Sequence, residues 1–191
     1  MLPHPPLIVT IQDPPSRCSV LPTIPGFLSF APPPPGQPCM AIYVFCLLDT
    51  HLSCTTVFHG TSEMLSVDVF CLEGLFKSSH HSLRLTSVNL LYINRPPYHS
   101  ITPTCVFFPL PYPHLIVGDF NIHHPLADPV RSLSEKQYTL SALYLDAAFD
   151  ARYHLLNTLG VYTHFPFDII SRPAALDLSF ANTTPSLCVT S

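Results

Sequence analysis

Short strand-like runs recur along the whole chain while only one segment carries a helical repeat, so the fold must be built mainly from sheets. The strand-like runs fall at residues 7–12, 39–45, 54–58, 65–71, 82–93, 114–120 and 175–181. The last alternates Leu176, Leu178 and Phe180 against Asp177 and Ser179, the pattern of a strand with one face in a core. The helical segment places Leu140, Leu143, Tyr144, Ala147, Ala148 and Ala151 at three- and four-residue spacing, with Ser132 or Ser134 as its N-cap. Gly160 stands where the chain must turn after it. Many strands with few helices predict two packed sheets with helices outside, an α/β (α+β) architecture. At 191 residues, with no internal repeat and no linker-like break, the chain reads as one domain spanning 1–191 with room for a substantial core.

Chemistry concentrates at residues 115–125, LIVGDFNIHHP. The apolar Leu115, Ile116 and Val117 end in Gly118, and an acid and an amide follow at alternating positions. Alternation in an extended segment would put Asp119 and Asn121 on the same side and turn Phe120 towards packing. The end of a core strand is where α/β proteins place their ligands. A carboxylate there can orient a water or hold a divalent ion, and an amide can donate to a phosphoryl oxygen. The bland alternative is a polar turn that closes the strand.

The same residues carry a resemblance. Gly118-Asp119-Phe120-Asn121 resembles the GDFN signature of the endonuclease/exonuclease/phosphatase superfamily, and Ile11-Gln12-Asp13-Pro14-Pro15 is similar to its segment bearing a glutamate metal ligand. Ile24-Pro25-Gly26-Phe27, Ala41-Ile42-Tyr43-Val44, Val67-Asp68-Val69-Phe70 and Glu73-Gly74-Leu75-Phe76 look like its intervening strands. Leu155-Leu156-Asn157-Thr158, Gly160-Val161-Tyr162-Thr163, Ser171-Arg172-Pro173 and Leu176-Asp177-Leu178-Ser179-Phe180-Ala181-Asn182 resemble its later motifs. This order, from about Leu7 to Asn182, is most similar to the endonuclease domain of LINE-type (non-LTR) retrotransposons, fungal ones especially. The resemblance implies a four-layer sandwich of two mixed sheets flanked by helices. It also implies hydrolysis of DNA phosphodiesters with Mg²⁺ (or Mn²⁺), with DNA as partner.

Residue by residue, it implies that Asp119 orients the attacking water and that Asn121 contacts the scissile phosphate. Asp13 stands at the glutamate's place as a metal ligand, one methylene shorter. Asp177 aligns with the aspartate that supports the metal and phosphate region. His123 and His124, the former a candidate substrate contact, lie just after the signature. Adjacent histidines of an extended chain point to opposite sides, so a shared ion with Asp128 as third ligand is disfavoured. The tyrosine expected after the long central strand falls on Asn89, with Tyr92 the nearby substitute for substrate contact. The opening-strand asparagine and the closing Ser-Asp-His motif find no counterpart. The expectation is therefore a domain incomplete at both termini and weakly active or inactive. The alternatives are a dead remnant of the same fold and a phosphatase of the same superfamily.

Composition narrows the rest. Hydrophobic residues make up 47% and charged residues 10%, against roughly 25% charged in typical domains. A net charge of −4 argues against a nonspecific electrostatic grip on nucleic acid, leaving that work to a local patch or a bound metal. Seven cysteines with no CxxC pair fit reduced thiols and an intracellular, nuclear or cytoplasmic chain. Cysteine nucleophile chemistry is disfavoured, since seven Cys among 11 His give chance pairs. No apolar run approaches the ~20 residues of a membrane span, and the proline-rich start does not read as a signal peptide. The 23 prolines include four in succession at residues 32–35, read as a rigid loop or as a polyproline ligand for an adaptor domain.

Overall fold

All seven apolar runs form strands in the computed structural model, which describes residues 8–12, 21–31, 40–45, 53–57, 64–70, 82–90, 102–126, 133–158, 161, 163 and 177–182. In chain order the elements are β1 (Ile8–Gln12), β2 (Phe27–Phe30), β3 (Met40–Phe45), β4 (Ser53–Val57), β5 (Met64–Phe70), β6 (Ser82–Asn89), α1 (Pro103–Val106), β7 (His114–Asp119), α2 (Glu135–Asp150), β8 (His154–Leu155) and β9 (Asp177–Ala181). Strand β2 follows the Ile24-Pro25-Gly26 turn, and Phe27 N–H donates to Ile24 C=O at 3.1 Å. The four prolines at 32–35, Tyr92, Asp128 and Gly160 lie outside the described residues.

The strands form two sheets. The smaller is antiparallel in the order β1-β3-β2, and the larger runs β4-β5-β6-β7-β9-β8. Within the larger sheet, β6 and β7 are parallel and every other pair is antiparallel. A parallel pair needs a crossover, and α1 lies within it. The expected α/β class with two packed sheets is therefore what the chain adopts.

Alternation along the large sheet gives it two apolar faces and hence two cores. Leu65, Val67, Val69, Leu83 and Leu85 face Met40, Ile42 and Val44 of the small sheet. The other face carries Val88, Ile116, Leu178 and Phe180, which pack with Phe107, Phe120, Tyr144, Leu145 and Ala148 under α2. Phe107 is the hub of that second core, with ring centroids 4.9 Å from Phe180, 5.6 Å from Tyr153 and 6.1 Å from Phe120. Full burial of one such side chain is worth about 1.5–3 kcal/mol, so both cores contribute heavily.

Helix α2 begins at a capping box. Ser134 Oγ accepts from Gln137 N–H, and Gln137 Oε1 accepts from Ser134 N–H, an arrangement typically worth ~1 kcal/mol. Of the two candidate caps, Ser134 is the one used. Not every apolar residue of the helical repeat faces the core: Leu143 is 54% exposed. The buried stripe runs through Ser141, Tyr144, Leu145 and Ala148, and Leu143 lies about 200° around the axis from Ser141 at 3.6 residues per turn.

The helix-facing side of the large sheet also buries an ion pair. Arg84 Nε donates to Asp68 Oδ1 at 2.6 Å and its Nη2 to Oδ2 at 2.7 Å, with the guanidinium 5.9 and 5.6 Å from the Phe108 and Tyr112 rings. The Asp68 hydrogen bond raises the Arg84 pKa against desolvation. Beside it runs a hydrogen-bonded chain. Tyr153 O–H donates to Phe108 C=O at 2.9 Å, so His114 Nδ1, 2.6 Å away, must donate to that hydroxyl. His114 Nε2 is hydrogen-bonded to Thr86 Oγ1 at 2.7 Å, and Thr86 Oγ1 to Ser66 Oγ at 2.8 Å. Burial pushes the Tyr153 phenol up. Because breaking a buried pair strands one charge, Asp68→Ala should lower the urea-unfolding free energy by about 3–5 kcal/mol. The double variant Asp68→Leu/Arg84→Met should recover most of that loss.

Candidate active site

The central strand β7 ends at Asp119, and the register of the sheet decides what stands beside it. Asn89 of β6 and Asp177 of β9 are its direct cross-strand partners. Side chains of directly paired residues point to the same face, with Cβ atoms roughly 5 Å apart. Leu85 and Leu115, also paired, belong to the core between the sheets. Counting by twos along the strands, Asn89, Asp119 and Asp177 share that same face, at the end where β7 stops. An amide and two carboxylates thus form one row. Asn89 is 5% exposed, and Asp119 and Asp177 are half-buried.

Gly118 makes the row possible. Its φ is +152°, and a Cβ there would run into the Val88 carbonyl and come within 2.7 Å of Gln12 Nε2. Gln12, the last residue of β1, donates that amide to Val88 C=O at 2.5 Å. The end of the small sheet is thereby tied to the large sheet one residue before Asp119.

Asp119 and Asn121 do meet, but not through strand alternation. Asn121 has φ +49°, in the left-handed region that asparagine tolerates better than most residues. Its N–H donates to Asp119 Oδ1 at 2.8 Å, and its Nδ2 donates to Leu90 C=O at 2.6 Å. The strand has ended, and the aspartate closes a tight side-chain turn. Phe120 points away into the helix-side core, fully buried, as its position after β7 requires. The turn reading and the site reading therefore describe one arrangement. The carboxylate caps the turn through one oxygen, and the Asn121 amide keeps a second N–H beyond the one on Leu90.

The other expected residues divide. Asp177 joins Asp119. Asp13 and Tyr92 lie outside the described residues. His123 is half-buried in the loop after Asn121, whereas His124 docks on α2. The His124 ring stacks on Tyr138 at 6.1 Å and 22°, and its Nδ1 accepts from Leu126 N–H at 3.1 Å. Among the described residues no group of three or more His, Cys, Asp and Glu could hold a metal ion. The described donors are two acids flanked by amides, a hard oxygen set of the kind Mg²⁺ takes while keeping several waters.

Two residues of this region were not singled out as site residues by sequence. Asn89 figures there only as the place where a tyrosine is missing, and strand register is what brings it beside Asp119. Asn157, inside the Leu-Leu-Asn-Thr motif, carries a side chain that pairs with β9. No residue pattern along the chain reports either contact.

With the geometry in view, the comparisons are informative about fold. Ten chains among solved structures match, one of them the endonuclease domain of TRAS1, a telomere-specific non-LTR retrotransposon. The identity is 15%, the match covers 91% of this chain and 72% of that one, and the TM-score is 0.59. The two share a fold. A scan against protein-family profiles and a search of curated proteins give no match.

Two outcomes follow. Gly118→Ala should cost about 3 kcal/mol or more in urea unfolding, because strain and a backbone collision coincide there. His124 has its pKa lowered, by burial first and against the pull of Asp146. The unfolded chain therefore binds the proton more readily, and this contribution is full above about pH 6.5 and lost as pH falls through the folded value. His124→Phe, which keeps the stack on Tyr138, should flatten the decline of the thermal midpoint with falling pH in that window.

Proposed function

We propose that this chain is a Mg²⁺- or Mn²⁺-dependent phosphodiesterase domain of the endonuclease/exonuclease/phosphatase superfamily, acting on DNA as in LINE-type retrotransposons, fungal ones especially. The observation that carries the reading is the row Asn89–Asp119–Asp177 with Asn121 folded back beside it, at the end of the central strand of an endonuclease-like fold. In this reading Asp177, with Asp13, which follows β1 in sequence, would hold the divalent ion. Such an ion, when bound, supplies Lewis-acid polarisation of a phosphoryl oxygen. Asp119 accepts a hydrogen bond from the attacking water and aligns it with phosphorus. The free N–H of Asn121 and the Asn89 amide stabilise charge developing on the non-bridging oxygens. No helix among the described residues is long and apolar enough to cross a membrane.

The test is nicking of supercoiled plasmid by the purified chain with Mg²⁺, with chelator, and with Asp119→Ala. The expected result is slow, metal-dependent nicking at most, which the chelator removes and Asp119→Ala abolishes, because the closing Ser-Asp-His motif has no counterpart here. Nicking that survives Asp119→Ala would overturn the assignment of Asp119. Hydrolysis of a small phosphate monoester in preference to DNA would point to the phosphatase alternative. Divalent-ion binding without any cleavage would mark a fold that has kept its donors and lost its chemistry.

A further inference from the structure

Strand β8 has two residues, and it runs out before it reaches the site. Its backbone pairs His154 with Ala181 and Leu155 with Phe180, and the next N–H, of Leu156, donates to Ser179 C=O at 2.8 Å. From there a side chain takes over. Asn157 Nδ2 donates to Asp177 C=O at 2.8 Å, and Asn157 Oδ1 accepts from Ser179 N–H at 2.7 Å. A carboxamide carries one donor and one acceptor in the same plane, as a peptide group does. This one continues the sheet ladder along β9 for the last two residues. Asp177 N–H, in turn, donates to Thr163 Oγ1 at 3.0 Å.

Asp177 opens β9, where a strand would otherwise fray. On one side it is held by β7 through its pairing with Asp119. On the other side β8 has ended at Leu155, and among the described residues the Asn157 side chain continues its ladder. We propose that Asn157 is a positioning residue for Asp177: its side-chain amide clamps the backbone on both sides of Leu178 and so sets the height of the Asp177 carboxylate in the row with Asp119. The inference rests on the reading of that row as a divalent-ion site. Asn157 does not touch the reacting atoms; it acts only through Asp177. Partners that orient a metal ligand in this way are worth about 10- to 100-fold in metal affinity.

The experiment measures Mn²⁺ binding by calorimetry and by electron paramagnetic resonance on the full chain. It compares wild type with Asn157→Ala, Asn157→Gln, Leu155→Ala and Asp177→Ala, and reads each unfolding midpoint alongside. Asn157→Gln keeps the amide and lengthens its stem, so it displaces the clamp without deleting it and carries the test if Asn157→Ala fails to fold. Leu155→Ala, half-buried against the helix-side core, weakens the same strand without touching Asp177. The expected result is Mn²⁺ affinity lowered about tenfold or more in the Asn157 variants and unchanged in Leu155→Ala at a comparable loss of midpoint. Folded Asn157 variants within twofold of wild type, or an equal loss in Leu155→Ala, would overturn the positioning role alone. A wild type that binds no Mn²⁺, or binds it equally well as Asp177→Ala, would overturn the site reading and this inference with it.

Discussion

Two backbones and one side chain converge at Gly118, and the arrangement of the site end depends on how closely they approach. Strands β6 and β7 run parallel here with Val88 opposite Gly118, and β1 sends Gln12 across from the other sheet to the same Val88 carbonyl. A side chain at position 118 would occupy the space in which those groups meet. That contact gives the small sheet a polar tie to the large one at this end. The apolar core between the sheets is non-directional. It brings the sheets together but leaves their relative sliding poorly determined, and a hydrogen bond of defined length fixes it. The residue after Gly118 is Asp119, so the most constrained point of the backbone lies next to the carboxylate that needs constraint.

The two cores have different tasks in this arrangement. The core between the sheets sets the floor on which Asn89, Asp119 and Asp177 stand. The core under α2 anchors Phe120, which edges against Phe180 at 5.4 Å and Tyr144 at 6.4 Å. Phe120 thereby fixes the point at which the chain leaves β7 and turns into Asn121. The loop that follows is fastened again where His124 stacks on Tyr138. The buried Arg84–Asp68 pair and the His114 chain lie at the other end of the strands and on the other face. Asn182 adds to that end, accepting from His114 N–H at 2.8 Å and donating to Tyr112 C=O at 3.0 Å. Polar groups at that end are consumed by internal partners, and the acids at the other end stand at the mouth between the sheets.

Much of this was legible in the residue pattern, and what was not has physical reasons. Strands of five residues or more announce themselves because burial of a whole face demands alternation or continuous apolar character. Strand β2, of four residues with exposed Leu28 and Ser29, and β8, of two, bury too little to leave such a trace. Helix α1 hides because Pro103 supplies a first helical turn that β-branched neighbours would not suggest. The pairing of Asp119 with Asn121 could be read from their spacing, but by a mistaken route. A two-residue interval in a strand and a two-residue interval in a left-handed turn look the same in one dimension. Asn89 and Asn157 could not be read at all, since register between strands far apart in sequence decides what each faces.

The row itself is unfavourable by local rules. Like charges placed directly opposite on neighbouring strands destabilise a sheet, and Asp119 and Asp177 hold such positions. One oxygen of Asp119 accepts from the Asn121 N–H. Backbone groups around Asp177 are meanwhile fastened by two side chains, Asn157 and Thr163, where a simple strand end would fray without penalty. Here two acids are kept side by side, with an adjacent glycine in a conformation that other residues rarely adopt and an asparagine in a left-handed one. Departures from local preference that concentrate at one point, while the rest of the fold obeys the rules, are expected of a binding or catalytic site. The concentration at Asp119, more than any single contact there, is the physical argument for placing the chemistry at this end of the sheet.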